Sequence, residues 1–394
     1  SNYFSQGSYG LPHESFYEDI FQLPAGHQLE YKSGKLIINR WYDFEQRVTE
    51  QEKIFDEATV KERYLELLKD SISLRFRADV EVGFNLSGGL DSSLLLALVN
   101  EFSENDKIQA FTFYTGNKGY DEMYWAEKMV SQTNNPHTKI KLSSEAVIDL
   151  SEKFSELQDE PFGGIPTLAY SAIFKNASSR RIKVLLDGQG MDEQWAGYDY
   201  YANLKNSTIQ GQKNVNTTFK PQCLNPEFGR ESEKIDYPEP FESRIKNLQY
   251  RDLFFTKLPR ALRFNDRISM AYSTELREPF LDYRLVELAF SLPDHFKIRN
   301  RTHKYLLREI IQDYLPYEIS YAPKRALQTP QREWLGDNLQ DWVEKRIQIL
   351  LDGEKANWFD KDSLMNEWKR YKNGDRSSSF HIWQWVSLAN LIKN

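Results

Sequence analysis

The chain has 394 residues, of which 40% are hydrophobic and 28% charged, so length and mix suggest two domains or one elaborated domain with a buried core. No run of 18 uninterrupted apolar residues occurs, which excludes a conventional membrane-spanning helix. The net charge of −7, without a dense Lys/Arg run, runs against a nucleic-acid partner, and a single cysteine, Cys223, excludes an internal disulfide framework and fits a reducing cytoplasm.

The first residues, Ser1-Asn2-Tyr3-Phe4-Ser5, lack the basic and apolar regions of a signal peptide and read as a tag scar. The three Asn-X-Ser/Thr triplets starting at Asn176, Asn206 and Asn216 are then chance matches. Next come Leu23-Pro24-Ala25-Gly26-His27 and a hairpin, with strands near 28–31 and 35–40 around Lys32-Ser33-Gly34. This zone, residues 1–50, is too short for a core of its own. From 57 to 205 strand and helix signals alternate. Strands are predicted at 80–86, 107–114, 137–142 and 182–186, and helices at 91–102 and 121–133. That alternation predicts an α/β fold, a parallel sheet covered on both faces. Residues 206–240 are polar and aperiodic and read as a long surface insert. From 241 onward the pattern is aromatic and mainly helical.

Ser87-Gly88-Gly89-Leu90-Asp91-Ser92-Ser93 lies between the first of these strands and its helix. Two glycines permit a tight turn that brings backbone N–H groups against an anion. The following helix aims its unsatisfied N–H groups and positive dipole end at the same spot. Three serine hydroxyls complete a cradle for phosphate or pyrophosphate. The spacing is not that of the Walker A loop, which requires Gly-x₄-Gly and a following lysine. A second strand-to-helix turn reads Asp187-Gly188-Gln189-Gly190-Met191-Asp192-Glu193. In a parallel sheet both loops leave at the carboxyl edge, where Asp91 and Asp192 can hold Mg²⁺ beside the phosphates of one ATP. The plainer reading of both loops is that their acidic residues cap helices.

Ser-Gly-Gly-x-Asp-Ser resembles the pyrophosphate loop of the ATP pyrophosphatase superfamily. Two further stretches, Asp266-Arg267-Ile268-Ser269-Met270-Ala271 running on through 275–282, and Thr302-His303-Lys304-Tyr305-Leu306-Leu307-Arg308, occur in the order found in glutamine-dependent asparagine synthetases. The chain therefore resembles the synthetase domain of that family over about residues 3–340. The resemblance implies an adenine nucleotide alpha-hydrolase-like sheet followed by a helical C-terminal region, with residues 51–394 as the synthetase domain. It also implies a carbon–nitrogen ligase of the glutamine-hydrolysing asparagine synthase type, in which ATP adenylylates the β-carboxylate of aspartate and ammonia displaces AMP. Leu86, Ser87, Gly88, Gly89, Asp91, Ser92, Phe113 and Gly188 would hold the nucleotide, Phe113 meeting the adenine. Asp91 and Asp192 would hold Mg²⁺, and Lys304, Asp192 and Gln189 would form the catalytic set. Lys304 would meet the α-phosphate, although a lysine in this position alone reads as a surface helix residue. Glu275, Arg277 and Asp282 read as a buried structural ion network.

Residues 1–50 resemble the end of the family's glutaminase domain and its linker. Without that domain's N-terminal cysteine the chain is expected to be a fragment that uses free ammonia, its glutaminase domain lying in cis in the full protein. A cytoplasmic enzyme is expected, with room for a homodimer. Three departures fall on the acceptor side. Gln189 stands where the family often carries an acidic residue, Arg260-Ala261 where acidic residues are common, and Arg325-Ala326-Leu327 where a Gly-Phe pair is common. Activation of another carboxylate, in sugar amidation or in β-lactam or macrolactam formation, and an inactive nucleotide-binding regulator are the alternatives.

Overall fold

The structure is a computed structural model that describes residues 1–10, 13–51, 53, 56–102, 108–203, 219–322, 329–376 and 379–392. An antiparallel hairpin, β1 (His27–Lys32) and β2 (Lys35–Arg40), precedes the main body, where the turn residues place it. The long helix α1 (Glu57–Phe76) starts where Asp56 accepts a hydrogen bond from the Thr59 N–H. Val60, Tyr64, Leu68 and Ile72, four residues apart, form its buried stripe.

The sheet follows: β3 (Val82–Asn85), α2 (Leu90–Phe102), β4 (Gln109–Tyr114), α3 (Met123–Thr133), β5 (His137–Lys141), α4 (Ser144–Gln158), α5 (Gly164–Ser179) and β6 (Val184–Leu186). The strands are one to three residues shorter than predicted, because the flanking residues form the turns. A fifth strand, β7 (Glu275–Arg277), pairs with β6. Its three residues carry no alternation that sequence reading could detect. All pairings are parallel, in the order β5-β4-β3-β6-β7. The strand order therefore reverses between β3 and β6, and the carboxyl edge at such a point opens a crevice.

Phe84, Leu86, Ala110 and Leu186 face a core shared with α1 and α2, whereas Phe111, Phe113 and Leu185 face the opposite core with α4 and α5. The period-2 alternation along each strand thus fills both faces. After β6 the chain is mainly helical, including α6 (Met191–Gln194), α7 (Arg244–Phe254), α8 (Lys257–Met270), α9 (Tyr283–Ser291), α10 (Tyr305–Ile311), α11 (Gln340–Asp352), α12 (Lys361–Lys372) and α13 (Phe380–Ile392). Among the described residues no helix is long and apolar enough to cross a membrane.

Three expectations change. Tyr3 and Phe4, read as a scar, are each 6% exposed and sit in the core with Tyr9; Phe4 packs edge-on against Phe359 at 5.3 Å. Of the polar insert, 206–218 lie outside the described residues. The remainder is anchored by buried Phe219, Cys223 and Leu224, with Leu224 bridging Phe359. The ion network exists but is not wholly buried. Arg277 donates to the carbonyls of Arg75 and Arg77 at 2.8 Å, and Asp282 accepts from Arg75 and Arg284, while Glu275 is exposed. It fixes β7 and the start of α9.

Candidate functional site

The first glycine loop turns sharply out of β3. Gly88 has φ +79°, and a Cβ there would stand 2.5 Å from Ala126 N and 2.8 Å from Trp125 Cβ. Only glycine lets the loop close against α3. The Gly89 N–H donates to Ser87 Oγ at 3.2 Å, and the two hydroxyls of Ser87 and Ser92 lie 2.9 Å apart. This knots the turn at the N-terminus of α2, whose leading N–H groups face the crevice.

The second loop packs directly on the first. A Cβ on Gly188 would lie 3.3 Å from both Asp91 C and Ser92 N. Asp192 is carried on α6, and the third element arrives from far along the sequence. A two-stranded turn (Ile298–Arg299 with Thr302–His303) delivers Lys304 in a left-handed conformation, φ 54°, at the N-cap of α10. His303 Nδ1 lies 2.7 Å from the Ala196 carbonyl, which ties this turn to the second loop. Lys304 Nζ then donates to Asp91 Oδ1 and Oδ2 at 2.6 and 2.7 Å and stands 2.7 Å from Asp192 Oδ1. Lys304 is 3% exposed, so it is a buried bridge and not a surface helix lysine. A Cβ on Gly197 would overlap both the Asp192 carboxylate and Lys304 Cε. A side chain at 197 and this triad exclude each other.

These groups line a cavity of about 350 Å³ at the carboxyl edge of the sheet. Leu86, Ser87, Gly89, Asp91, Ser92, Phe113, Gly188, Gln189, Asp192 and Lys304 all reach it. Gly88 does not appear on its wall; it serves the turn. Gln189 donates from its backbone N–H to Glu278 Oε2 at 3.2 Å and from Nε2 to Tyr170 Oη at 3.4 Å. Burial raises Asp187 above the usual carboxylate range, and burial followed by the charge of Asp187 raises Glu278 well above it. The family comparison point at 325–327 lies outside the described residues.

Sequence reading put Arg260 on the acceptor side and quoted Arg308 in a motif, but missed Glu193, Tyr198 and Lys257 on the far wall. Burial, then the charge of Asp192, pushes Glu193 up to about 7, with the Tyr198 hydroxyl donating to it at 2.8 Å. Burial lowers Lys257 to about 8, and its ammonium sits 3.4 Å from the centre of the Tyr198 ring. Arg260 lines the cavity beside it. Arg308 lines it as well and is held by the carbonyls of His303, Ser320 and Ala322. One signal was available: Lys257 and Arg260 occupy the first turn of a helix without an acidic residue there, contrary to the dipole preference.

The donor set suits a divalent cation. Two carboxylates already gather around one positive atom, and Mg²⁺ is commonly held by one or two carboxylates together with phosphate oxygens and water.

Residues 63–393 match the family model described as asparagine synthase. The match runs well past residue 340, where the recognisable motifs stop, because the C-terminal helices contribute core and not loop motifs. The chain is 25% identical over 381 residues to glutamine-hydrolyzing asparagine synthetase 1 of Bacillus subtilis, covering 85% of this chain and 58% of that protein. It is 32% identical over 204 residues to putative glutamine-hydrolyzing asparagine synthetase 2 of Methanocaldococcus jannaschii, covering 51% and 38%. Against the glutamine-hydrolyzing asparagine synthetase of Gallus gallus the identity is 28% over 310 residues, covering 75% and 48%. The chain thus spans 38–58% of the length of these relatives.

Proposed function

The chain belongs to the asparagine synthase family, and we propose that it performs the ATP-consuming half of amide synthesis, with the β-carboxylate of aspartate as acceptor and ammonia as nucleophile. The observation that carries this reading is the meeting of Asp91, Asp192 and Lys304 at one point beside the Ser87–Ser92 turn. Two carboxylates, one lysine and a helix N-terminus in one cavity form an equipped phosphate site.

In this reading the substrate carboxylate oxygen attacks the α-phosphorus of ATP and pyrophosphate leaves. Ammonia then attacks the acyl carbon, AMP leaves with the C–O bonding pair, and the nitrogen sheds a proton. The turn amides and the hydroxyls of Ser87 and Ser92 receive the pyrophosphate oxygens. Asp91 and Asp192 would hold Mg²⁺, which would supply positive charge to offset the negative charge building on the leaving group. Lys304 stabilises negative charge at the α-phosphate in a site from which water is largely displaced. Phe113 offers its ring at the end of β4 to the adenine. Holding both reactants in line is worth about 7–11 kcal/mol at best.

These residues offer no nucleophilic cysteine for the family's route of glutamine hydrolysis. Cys223 is buried, and desolvation pushes its thiol up to about 12, so it forms no ready thiolate. A glutaminase partner, in cis in the full-length protein, is supported by the hairpin. Leu29, Tyr31, Leu36 and Ile38 are all exposed on it, and an isolated two-stranded hairpin is marginal by itself. Incubation with ATP, Mg²⁺, aspartate and ammonium should give AMP and asparagine in equal amounts, whereas glutamine in place of ammonium should give no asparagine. AMP formed with no carboxylate tested, or ATP bound and never cleaved, would remove the reading.

A further inference from the structure

We infer that Lys257 and Arg260 form an anion subsite on the far wall of the cavity, and that the acceptor therefore carries a second acidic group besides the carboxylate that is activated. The inference rests on the proposed reaction and names the substrate class of its acceptor.

Three arginines follow one another along α8, and their fates differ. Arg263 Nε lies 2.6 Å and Arg267 Nη1 2.9 Å from Glu160 Oε1, so both have a carboxylate. Among the described residues Arg260 lines the cavity and makes no hydrogen bond or ion pair, and its Nη1 is sealed from solvent without a partner. Its guanidinium stands 5.8 Å from the centre of the Tyr9 ring. The neighbouring acid cannot serve it. Asp252 is fully buried and accepts from Arg251 at 3.0 Å, Tyr201 at 2.9 Å, Thr256 at 2.8 Å and also Tyr200. Lys257, one turn before Arg260 and on the same cavity wall, rests on the Tyr198 and Tyr200 rings; among the described residues it makes no ion pair, and Asp252, Glu193 and Asp192 act on it only from farther away.

Both cations stand at the positive end of a 14-residue helix that has no acid in its first turn and no side-chain cap. Helix dipole, mutual repulsion and desolvation all oppose this arrangement, and an anion bound between them would reverse all three. The guanidinium fork suits a planar carboxylate or a phosphate. Aspartate meets the requirement through its α-carboxylate, and a simple monocarboxylate does not.

Binding is best read with chemistry blocked, using the protein saturated with α,β-methylene-ATP and Mg²⁺. Calorimetric titrations would compare aspartate with β-alanine, which lacks only the α-carboxylate, and succinate with butyrate. At least one diacid should bind, with its monoacid partner 10- to 100-fold weaker, as expected for a lost charge-assisted contact. Arg260→Gln should narrow that gap to about threefold, and Arg260→Lys should restore part of it. The affinity for α,β-methylene-ATP should be unchanged in both variants, which also reports that they fold. Equal binding of both members of each pair, a gap untouched by Arg260→Gln, or no binding by any diacid would overturn the subsite. A fall in nucleotide affinity would instead give the pair to the triphosphate and overturn it too. Diacid binding without AMP formation in the unblocked reaction would sink the proposed reaction and leave the subsite standing.

Discussion

Replacing Lys304 by methionine keeps most of the side-chain volume and removes the ammonium that Asp91 and Asp192 share at 2.6–2.7 Å. Lys304 is 3% exposed, so water cannot simply take its place. Breaking a buried ion pair from one side costs roughly 3–5 kcal/mol, since the remaining charges lose their partner. Unfolding entropy of about 2.1 cal/mol/K per residue gives about 0.8 kcal/mol/K for the 394-residue chain. The expected drop in melting temperature is therefore about 4–6 °C in a metal-chelated buffer. Added Mg²⁺ should recover more of the loss in the variant than it adds to the wild type, because it restores positive charge between the same carboxylates. Turnover, followed as AMP formed with aspartate and ammonium, should fall about 10²- to 10³-fold, the usual cost of one transition-state donor. A melting point unchanged by Lys304→Met together with turnover within threefold of wild type would refute the role given to this bridge.

Asp91→Asn and Asp192→Asn should each abolish Mg²⁺-dependent pyrophosphate release, read with a coupled phosphate assay; release at the wild-type rate would remove the metal assignment. Gly197→Ala places a methyl group on the Asp192 carboxylate and Lys304 Cε. It should cost about 1–3 kcal/mol in denaturant unfolding and depress turnover with it; a fully active, fully stable variant would show that the triad is not so tightly confined. Glu193 supplies a pH test in the ligand-free protein. Its folded pKa of about 7 lies above the ordinary glutamate value of 4.5, so its contribution to stability is complete below the lower value and is lost as pH rises through the upper one. Glu193→Gln removes that loss, so relative to wild type it should gain up to about 3 kcal/mol between pH 5 and pH 8. A difference independent of pH would contradict the raised carboxyl.

The sheet and its two loops were legible because their determinants are local. Strand signals at 80–86, 107–114, 137–142 and 182–186 mark the strands to within a few residues, and glycines at 88 and 188 mark the turns that follow. Nothing local marks β7, which is defined by pairing with β6 and by Arg277 reaching the carbonyls of Arg75 and Arg77. Tyr3 and Phe4 looked expendable because their partners, Tyr9, Phe359 and Gln384, are mostly hundreds of residues away. Lys304 was found only by motif, since its burial depends on a turn that no periodicity reveals.

The nucleotide side and the acceptor side differ in a physical way that decides which experiments are informative. A phosphate cradle consists of backbone N–H groups in a fixed turn, so a few consecutive residues, 87–92, specify it almost completely. The acceptor wall consists of long side chains that converge from separate elements: Gln189 from the second loop, Tyr198 from the segment after α6, and Lys257 and Arg260 from α8. Changes in the cradle should impair every reaction of this chemistry alike, whatever acid is being activated, and so cannot identify the substrate. Changes at 257 and 260 act only where an acid presents a second charge. On the proposed subsite, substrate choice is set by the acceptor wall, by α8 together with Gln189 of the second loop, and not by the phosphate cradle.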